Sequence, residues 1–113
     1  MKREYFVTQE MINRYGEING DNDIIHYDPD YARKRGFKAP LAHGLMVQGY
    51  ASAMAAEKYG ADWFHRGEIE VKFVGPVYPD ETISVEIDDD GRLNVSAGDR
   101  TCIVGTARLR EAS

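Results

Sequence analysis

The feature that most constrains the fold of this chain is a change of hydrophobic period near Gly60. Residues 43–59, HGLMVQGYASAMAAEKY, are apolar on almost every side and rich in small side chains, which is typical of a helix surrounded by other structure. After Gly60 apolar residues recur at every second position, which is typical of strands with one buried face. These positions are Ile69, Val71 and Phe73, then Ile83, Val85 and Ile87, then Leu93, Val95 and Ala97, and finally Ile103, Gly105, Ala107 and Leu109. The chain therefore predicts an α+β fold in which an antiparallel β-sheet wraps around one long central helix.

Two shorter helices are predicted before the long one. Thr8 is a suitable N-cap for a helix that runs to about residue 18, and Gly20 supplies the backbone freedom that ends it. Asp28 and Pro29 combine a capping oxygen with proline at the first helical position, and this second helix should stop at Gly36. The residues between these two helices are therefore expected to form a loop.

Size and charge exclude several classes of protein. We expect the 113 residues to form a single domain, 1–113, whose core is modest, so a deep pocket would need help from a second subunit. A formal net charge of -5 leaves no basic stripe for nucleic acid, and no basic amphipathic helix is present for a membrane surface. Cys102 is the only cysteine, which precludes an intramolecular disulfide, and the N-terminus has no apolar run long enough for a signal peptide. These features predict a cytoplasmic protein that binds neither nucleic acid nor membranes.

Two short polar segments carry the chemistry. The loop GDNDIIH places Asp21 and His26 five positions apart, and His43 and Gly44 open the long helix. A carboxylate and an imidazole can share one water molecule and move protons near neutral pH, while the first turn of a helix offers unpaired N–H groups to a developing oxyanion. An acid and a histidine at this spacing are by themselves more typical of a structural turn. Combined with the helix glycine and the strand segment FVGPVYPDET, they favour a catalytic site.

The order and spacing of these segments resemble the MaoC-like (R)-specific enoyl-CoA hydratase/dehydratase family. The signature of that family is Gly-Asp-any-Asn-Pro-aliphatic-His followed six residues later by Ala or Ser, and here it reads as residues 20–26 followed by Ala32. An aromatic-led turn into HG and a strand of the form FxxPVxPGDT also occur in this order, so the resemblance covers about residues 5–110. It implies the hot-dog fold.

The loop departs from the signature at two positions. Asp23 and Ile24 stand where the signature has Asn-Pro. The loop therefore lacks the φ angle that proline would fix. The added carboxylate is also expected to favour the protonated forms of both Asp21 and His26.

The resemblance implies a hydro-lyase that adds water to the double bond of an enoyl thioester, or removes it from an (R)-3-hydroxyacyl thioester. Asp21 and His26 would act as the acid/base pair on a shared water, and the Gly44 N–H would stabilise the oxyanion. The resemblance also suggests that Ser52 supports the hydrogen bonds of the site, and helical spacing alone adds Gln48 to the same face. Coenzyme A or an acyl carrier would be part of the substrate, with no separate cofactor and no metal, and a homodimer is expected. The acyl chain length and the direction of the reaction stay open.

Three alternatives remain at this point. A hot-dog thioesterase often places its acid on the central helix, where this chain offers only Glu57. A non-catalytic acyl-binding protein, or the partner subunit of a heteromeric dehydratase, would fit the loss of Asn-Pro. Asp21, His26 and His43 also have the composition of a two-histidine, one-carboxylate iron site, but such a site does not need a helix-start glycine. We expect His43 to be structural.

Overall fold

The computed structural model describes residues 1–111 and contains the three helices and four strands that the sequence predicts, together with a strand before the first helix and a short helix after the third. The helices are α1 (Gln9–Asn19), α2 (Pro29–Lys34), α3 (Gly44–Tyr59) and α4 (Ala61–Arg66), with a 3₁₀ turn at Ile24–His26. The strands are β1 (Lys2–Val7), β2 (Gly67–Phe73), β3 (Glu81–Ile87), β4 (Arg92–Ala97) and β5 (Arg100–Leu109). The α+β class is confirmed, and none of the helices within residues 1–111 is long and apolar enough to cross a membrane.

Side-chain caps begin the first two helices where the sequence predicts them. The Thr8 hydroxyl accepts a hydrogen bond from the Met11 N–H at 3.2 Å, and Gly20 ends α1 in the left-handed region with φ 76°. The Asp28 carboxylate accepts from the first two free N–H groups of α2, which has Pro29 in its first turn. These caps fix both ends of the loop that carries Asp21 and His26.

The five strands form one antiparallel sheet in the order β1-β3-β4-β5-β2, and α3 packs against β3 and β5. The inner face of the sheet and the facing side of α3 share one hydrophobic core. Its fully buried members from the sheet and the helix include Val7, Ile83, Val85, Ile87, Val95, Ile103 and Met54. One antiparallel sheet packed against a long helix confirms the predicted hot-dog arrangement.

One side of α3 is left uncovered, so the prediction of a helix buried on every side is wrong for the single chain. Leu45 is 62% exposed, and Gly49 and Ala53 on the same side are exposed as well. A Cβ added at Gly49 would meet no atom within 4 Å, which confirms that this side is open. The reason is that one sheet layer covers only the opposite side of the helix.

A β-bulge in the β4–β5 pair changes which side chains of β5 point inward. Val95 pairs with Ile103, but Ser96 pairs with Thr101, so Cys102 is an extra residue in the ladder. Such a residue bends its strand and redirects its side chain. Cys102 and Ile103 are consequently both buried on the inner face, where simple alternation predicts only one of them.

Candidate active site

The loop between α1 and α2 is shaped by hydrogen bonds from its own short polar side chains. The Asp21 N–H donates to Asn19 Oδ1 at 2.9 Å, the Asp23 N–H donates to Asp21 Oδ1 at 3.1 Å, and the Ile25 N–H donates to Asp23 Oδ1 at 3.0 Å. Asp23 thereby caps the 3₁₀ turn that ends at His26. The loop thus holds a defined turn without the proline of the family signature, because Asp23 supplies the cap.

Asp21 and His26 face each other across a short gap. His26 Nε2 lies 3.4 Å from Asp21 Oδ2, and the His26 side chain is 11% exposed against 40% for Asp21. His26 Nδ1 lies 2.7 Å from the Leu41 carbonyl oxygen, which can only accept, so Nδ1 carries the proton. In neutral His26 the Nε2 lone pair therefore points toward the carboxylate. Both atoms are then acceptors, and a water molecule that donates one proton to each would satisfy the pair.

The main-chain N–H of Asp23 lowers the pKa of Asp21 below its ordinary value. Partial burial opposes this effect, while charge on His26 and His43 adds to it. The expectation that Asp23 favours protonated Asp21 is therefore wrong. The hydrogen bond from the Asp23 backbone stabilises the carboxylate, which stays ionised near neutral pH.

His43 is buried directly behind this pair. It is 2% exposed, and its ring stacks on that of His26 with centroids 3.9 Å apart and planes 25° apart. Burial lowers the pKa of His43, charge on His26 lowers it further, and the Asp21 carboxylate partly offsets both effects. His43 is thus a neutral imidazole near pH 7. As the N-cap residue of α3 it makes no side-chain capping bond, and its ring instead packs against His26 and contacts the Tyr27 hydroxyl.

The same three residues are the group within residues 1–111 that could hold a metal ion. One ligand atom from each of Asp21, His26 and His43 lies within 4.8 Å of the other two. A metal binds an imidazole in the plane of the ring at about 2.1 Å from the nitrogen. The two stacked rings direct their nitrogens along nearly parallel planes instead of toward a common point. This geometry does not fit the two-histidine metal alternative and suits a shared water better.

An apolar cavity of about 380 Å³ opens beside His26 and the start of α3. His26 and Gly44 line it together with Phe73, which is half exposed. The apolar wall includes Leu41, Val47, Val77, Cys102 and Ile103. The volume is in the range of small-molecule sites, and the mainly apolar lining suits an acyl chain with a polar group at one end.

Gly44 stands at the first position of α3, where its N–H has no acceptor within the helix. A Cβ at this position would lie 3.0 Å from Cε1 of Phe73, so the glycine keeps the backbone accessible beside that ring. Gln48 and Ser52 follow on the same face of α3, both partly buried, but neither is among the residues that line the cavity. Ser52 is two turns away, about 12 Å along the helix axis. The structure therefore places His26 and Gly44 in the wall of one cavity and Asp21 against His26, outside the lining of the cavity, and it leaves the role of Ser52 a prediction.

Two residues near the site were not singled out by the sequence patterns as functional. Cys102 reaches the cavity through the bulge in β5, which no local pattern indicates. Tyr27, next to His26, places its hydroxyl between the loop and α3. Its position directly after the signature histidine is the only sequence signal that could have found it.

Comparisons with known proteins show the family of this chain. The family model described as "MaoC like domain" matches residues 1–111. The peroxisomal hydratase-dehydrogenase-epimerase of Neurospora crassa is 36% identical over 88 residues, which are 78% of this chain and 9% of that protein. The peroxisomal multifunctional enzyme type 2 of Drosophila melanogaster is 31% identical over 107 residues, which are 93% of this chain and 17% of that protein.

A solved structure resembles the chain over nearly its whole length. The (R)-hydratase from A. caviae involved in PHA biosynthesis superposes with a TM-score of 0.77 at 14% identity, covering 97% of this chain and 93% of that one. This likeness shows the fold, whereas the curated relatives are far longer than this chain, which spans 9% and 17% of the two named above. The chain belongs to the MaoC-like dehydratase family of enoyl-CoA hydratases and 3-hydroxyacyl dehydratases and has the hot-dog fold.

Proposed function

We propose that this chain adds water to the double bond of an enoyl thioester, or removes it from the corresponding (R)-3-hydroxyacyl thioester. The observation that carries the proposal is the approach of Asp21 Oδ2 and His26 Nε2 to 3.4 Å beside an apolar cavity that also contains the start of α3. Family membership and relatives named as hydratases and dehydratases support the same reaction class.

The proposed mechanism uses one water molecule and two proton transfers. Asp21 and His26 hold the water, one of them takes its proton as the oxygen bonds to the β-carbon, and the α-carbon gains a proton from the pair. Negative charge that develops on the thioester oxygen is stabilised by the Gly44 N–H and the positive end of the α3 dipole. The same steps in the reverse order, with the same groups, remove water. Coenzyme A or an acyl carrier enters as part of the substrate.

The thioesterase alternative is not favoured by the position of its candidate acid. Glu57 is exposed near the far end of α3, where it forms an ion pair with Arg3, and it is not among the residues that line the cavity. An acid at that position is too far along the helix to act on a carbonyl bound at Gly44. A non-catalytic partner subunit would neither hydrate nor hydrolyse an enoyl thioester.

Crotonyl-CoA separates these functions in one assay. Hydration removes the absorbance of the conjugated thioester without releasing thiol, thioester hydrolysis releases a thiol that a colorimetric reagent detects, and a non-catalytic protein does neither. Chiral analysis of the 3-hydroxybutyryl product then tests the (R) configuration. Thiol release, or no change in either signal, would contradict the proposed function.

Asp21→Asn and His26→Ala should each lower the hydration rate by about two to four powers of ten, because each removes a proton-transfer group. Initial rates and circular dichroism would be measured for both variants. The matched controls are Asp89→Asn and His65→Ala, which change exposed residues away from the cavity and should keep the wild-type rate. Wild-type rates in either site variant would remove the assignment.

We further propose that the protein acts as a homodimer. One side of α3 is apolar and uncovered, and it consists of Leu45, Gly49 and Ala53. The strand β2 lies at an edge of the sheet, and its last residue, Phe73, is 53% exposed. A second copy would cover both features and enclose the open side of the cavity. The single cysteine leads us to propose the cytoplasm as the compartment. Some relatives are named as peroxisomal enzymes.

A further inference from the structure

The hydroxyl group of Tyr27 connects the loop that carries Asp21 to the first residue before α3. It donates a hydrogen bond to the Asp21 main-chain oxygen at 2.8 Å and lies 3.1 Å from His43 Nε2. Burial raises the pKa of Tyr27, and the charges of Asp21 and Glu17 raise it further, so the hydroxyl keeps its proton. Tyr27 therefore contacts the backbone of one member of the acid/base pair and the histidine that packs on the other.

These contacts define the tautomer of His43. The Asp21 carbonyl oxygen can only accept, so the single hydroxyl proton of Tyr27 is used there. The hydroxyl oxygen then accepts from His43, whose proton must be on Nε2. Nδ1 of His43 carries a lone pair and has no hydrogen-bond partner within residues 1–111, although it is buried. A buried polar atom without a hydrogen-bond partner lowers the stability of the fold, and other contacts must offset this loss.

Gly16 in α1 provides the space for this hydroxyl. A Cβ at residue 16 would lie 1.9 Å from the Tyr27 hydroxyl oxygen, 3.0 Å from Tyr27 Cζ and 3.4 Å from the Asp21 carbonyl oxygen. Any side chain at this position would therefore displace Tyr27 from both of its partners. Glycine in the interior of a helix is unfavourable, so this close approach gives a physical reason for its presence.

We propose that Tyr27 is a positioning residue for the Asp21–His26 pair, with Gly16 as the residue that admits it. Its hydroxyl fixes the position of the Asp21 backbone and holds His43 as the uncharged Nε2–H tautomer. The flat neutral ring of His43 then supports the face of the His26 imidazole, whose own Nδ1 is held by the Leu41 carbonyl oxygen. This inference rests on the proposed function for its catalytic consequence, but its structural part can be measured without activity.

Tyr27→Phe tests the proposal because it removes one oxygen atom and leaves the ring. We expect kcat for crotonyl-CoA hydration to fall roughly 10-fold, the effect of losing one hydrogen bond in the site, with KM within about twofold of wild type. Tyr27 does not line the cavity, which is why KM should change little. In ¹⁵N-resolved imidazole spectra His43 should change from the Nε2–H tautomer to a mixture with Nδ1–H.

Tyr59→Phe is the matched control. The Tyr59 hydroxyl also donates to a backbone oxygen, that of Ala107, at 2.8 Å, but it lies at the far end of α3. This variant loses a hydrogen bond of the same kind and should show a comparable loss of thermal stability. Its kcat and the tautomer of His43 should equal those of the wild type, which separates positioning from general destabilisation.

Gly16→Ala tests the second part through coupling with Tyr27. Alone, it should lower kcat and the melting temperature, because the new methyl group overlaps the hydroxyl. In the Tyr27→Phe background the 1.9 Å overlap is absent and the 3.0 Å contact with Cζ remains, so Gly16→Ala should lower kcat and the melting temperature less than it does alone. Equal effects of Gly16→Ala in both backgrounds would overturn the assignment of Gly16.

Two results would overturn the role of Tyr27: a His43 tautomer that is unchanged in Tyr27→Phe, or a kcat within twofold of wild type. Absence of hydratase activity in the wild-type protein would instead contradict the proposed function. In that case the imidazole spectra still decide the positioning role. Shifted His26 signals together with a changed His43 tautomer would support it, and unchanged spectra would refute it.

Discussion

At the scale of single residues, the charge of Asp21 depends on the backbone of its neighbour. Because the Asp23 N–H lowers the folded-state pKa of Asp21, the ionised form contributes stability that is fully present above the unfolded-state pKa of about 3.9. That contribution is lost as the pH falls through the lower folded-state value. Asp21→Asn should therefore lower the melting temperature at pH 7, and the difference from wild type should shrink toward pH 3. Melting temperatures of the two proteins that differ by the same amount from pH 7 to pH 3 would show that the charge of Asp21 does not stabilise the fold.

Gly44 allows the N–H donor to be tested apart from the bulk of a side chain. Gly44→Pro removes the N–H at the first helical position, where proline is tolerated, and His43 already has the extended backbone, with φ -61° and ψ 134°, that proline requires before it. Gly44→Ala keeps the N–H and adds a Cβ against Phe73, so it serves as the steric control. We expect Gly44→Pro to have a kcat about 100- to 1,000-fold below that of Gly44→Ala. Equal kcat values in the two variants would exclude the N–H as the oxyanion donor.

At the scale of elements, the 3₁₀ turn already has the backbone that the missing signature proline would give. Ile24 is the first residue of the turn, where an N–H has no acceptor within the turn, and the preceding Asp23 has φ -63° and ψ 120°. Ile24→Pro should therefore raise the free energy of unfolding by about 0.4–1 kcal/mol by restricting the unfolded chain. The side chain of Ile24 is half exposed, so little packing is lost. Chemical denaturation would check the prediction, with the exposed Ile18→Pro in α1 as a destabilising comparison.

The elements that the sequence predicts well are those whose signals are local. Thr8 and Asp28 sit beside the helices they cap, and the alternation from Ile83 to Ala97 marks two strands with one buried face. The strand β1 and the helix α4 were missed because β1 is an edge strand with mostly exposed side chains and α4 has no buried residue.

In the candidate site, too, the contacts between residues close in sequence are predictable and the contacts between distant residues are not. Asp21 and His26 are close because the loop between them closes on itself through Asp21 and Asp23. Tyr27 contacts Gly16 in α1 and His43 before α3, both distant in sequence, so these contacts could not be predicted from local spacing. Cys102 enters the cavity only through a shift of strand register.

At the scale of the whole molecule, the open side of α3 and the β2 edge of the sheet both expose apolar side chains to solvent. Phe73, at the end of edge strand β2, and Val74 after it are each 53% exposed, and both line the cavity. A partner that continues the sheet past β2 would cover these residues and narrow the cavity. Assembly and the active cavity are therefore expected to depend on the same part of the surface.

Leu45→Glu should separate the protein into monomers and lower the rate of hydration with them. The substitution places a charge on a side chain that is 62% exposed in the single chain, and burying that charge against a partner would oppose association. Ile18→Glu is the matched control, since Ile18 is 83% exposed on α1 and its substitution should leave association unchanged. Sedimentation velocity and light scattering would give the mass of each variant, and initial rates would be measured over a range of protein concentrations. A wild-type protein with the mass of one chain would contradict the homodimer, and a dimeric Leu45→Glu variant would place the interface away from this side of α3.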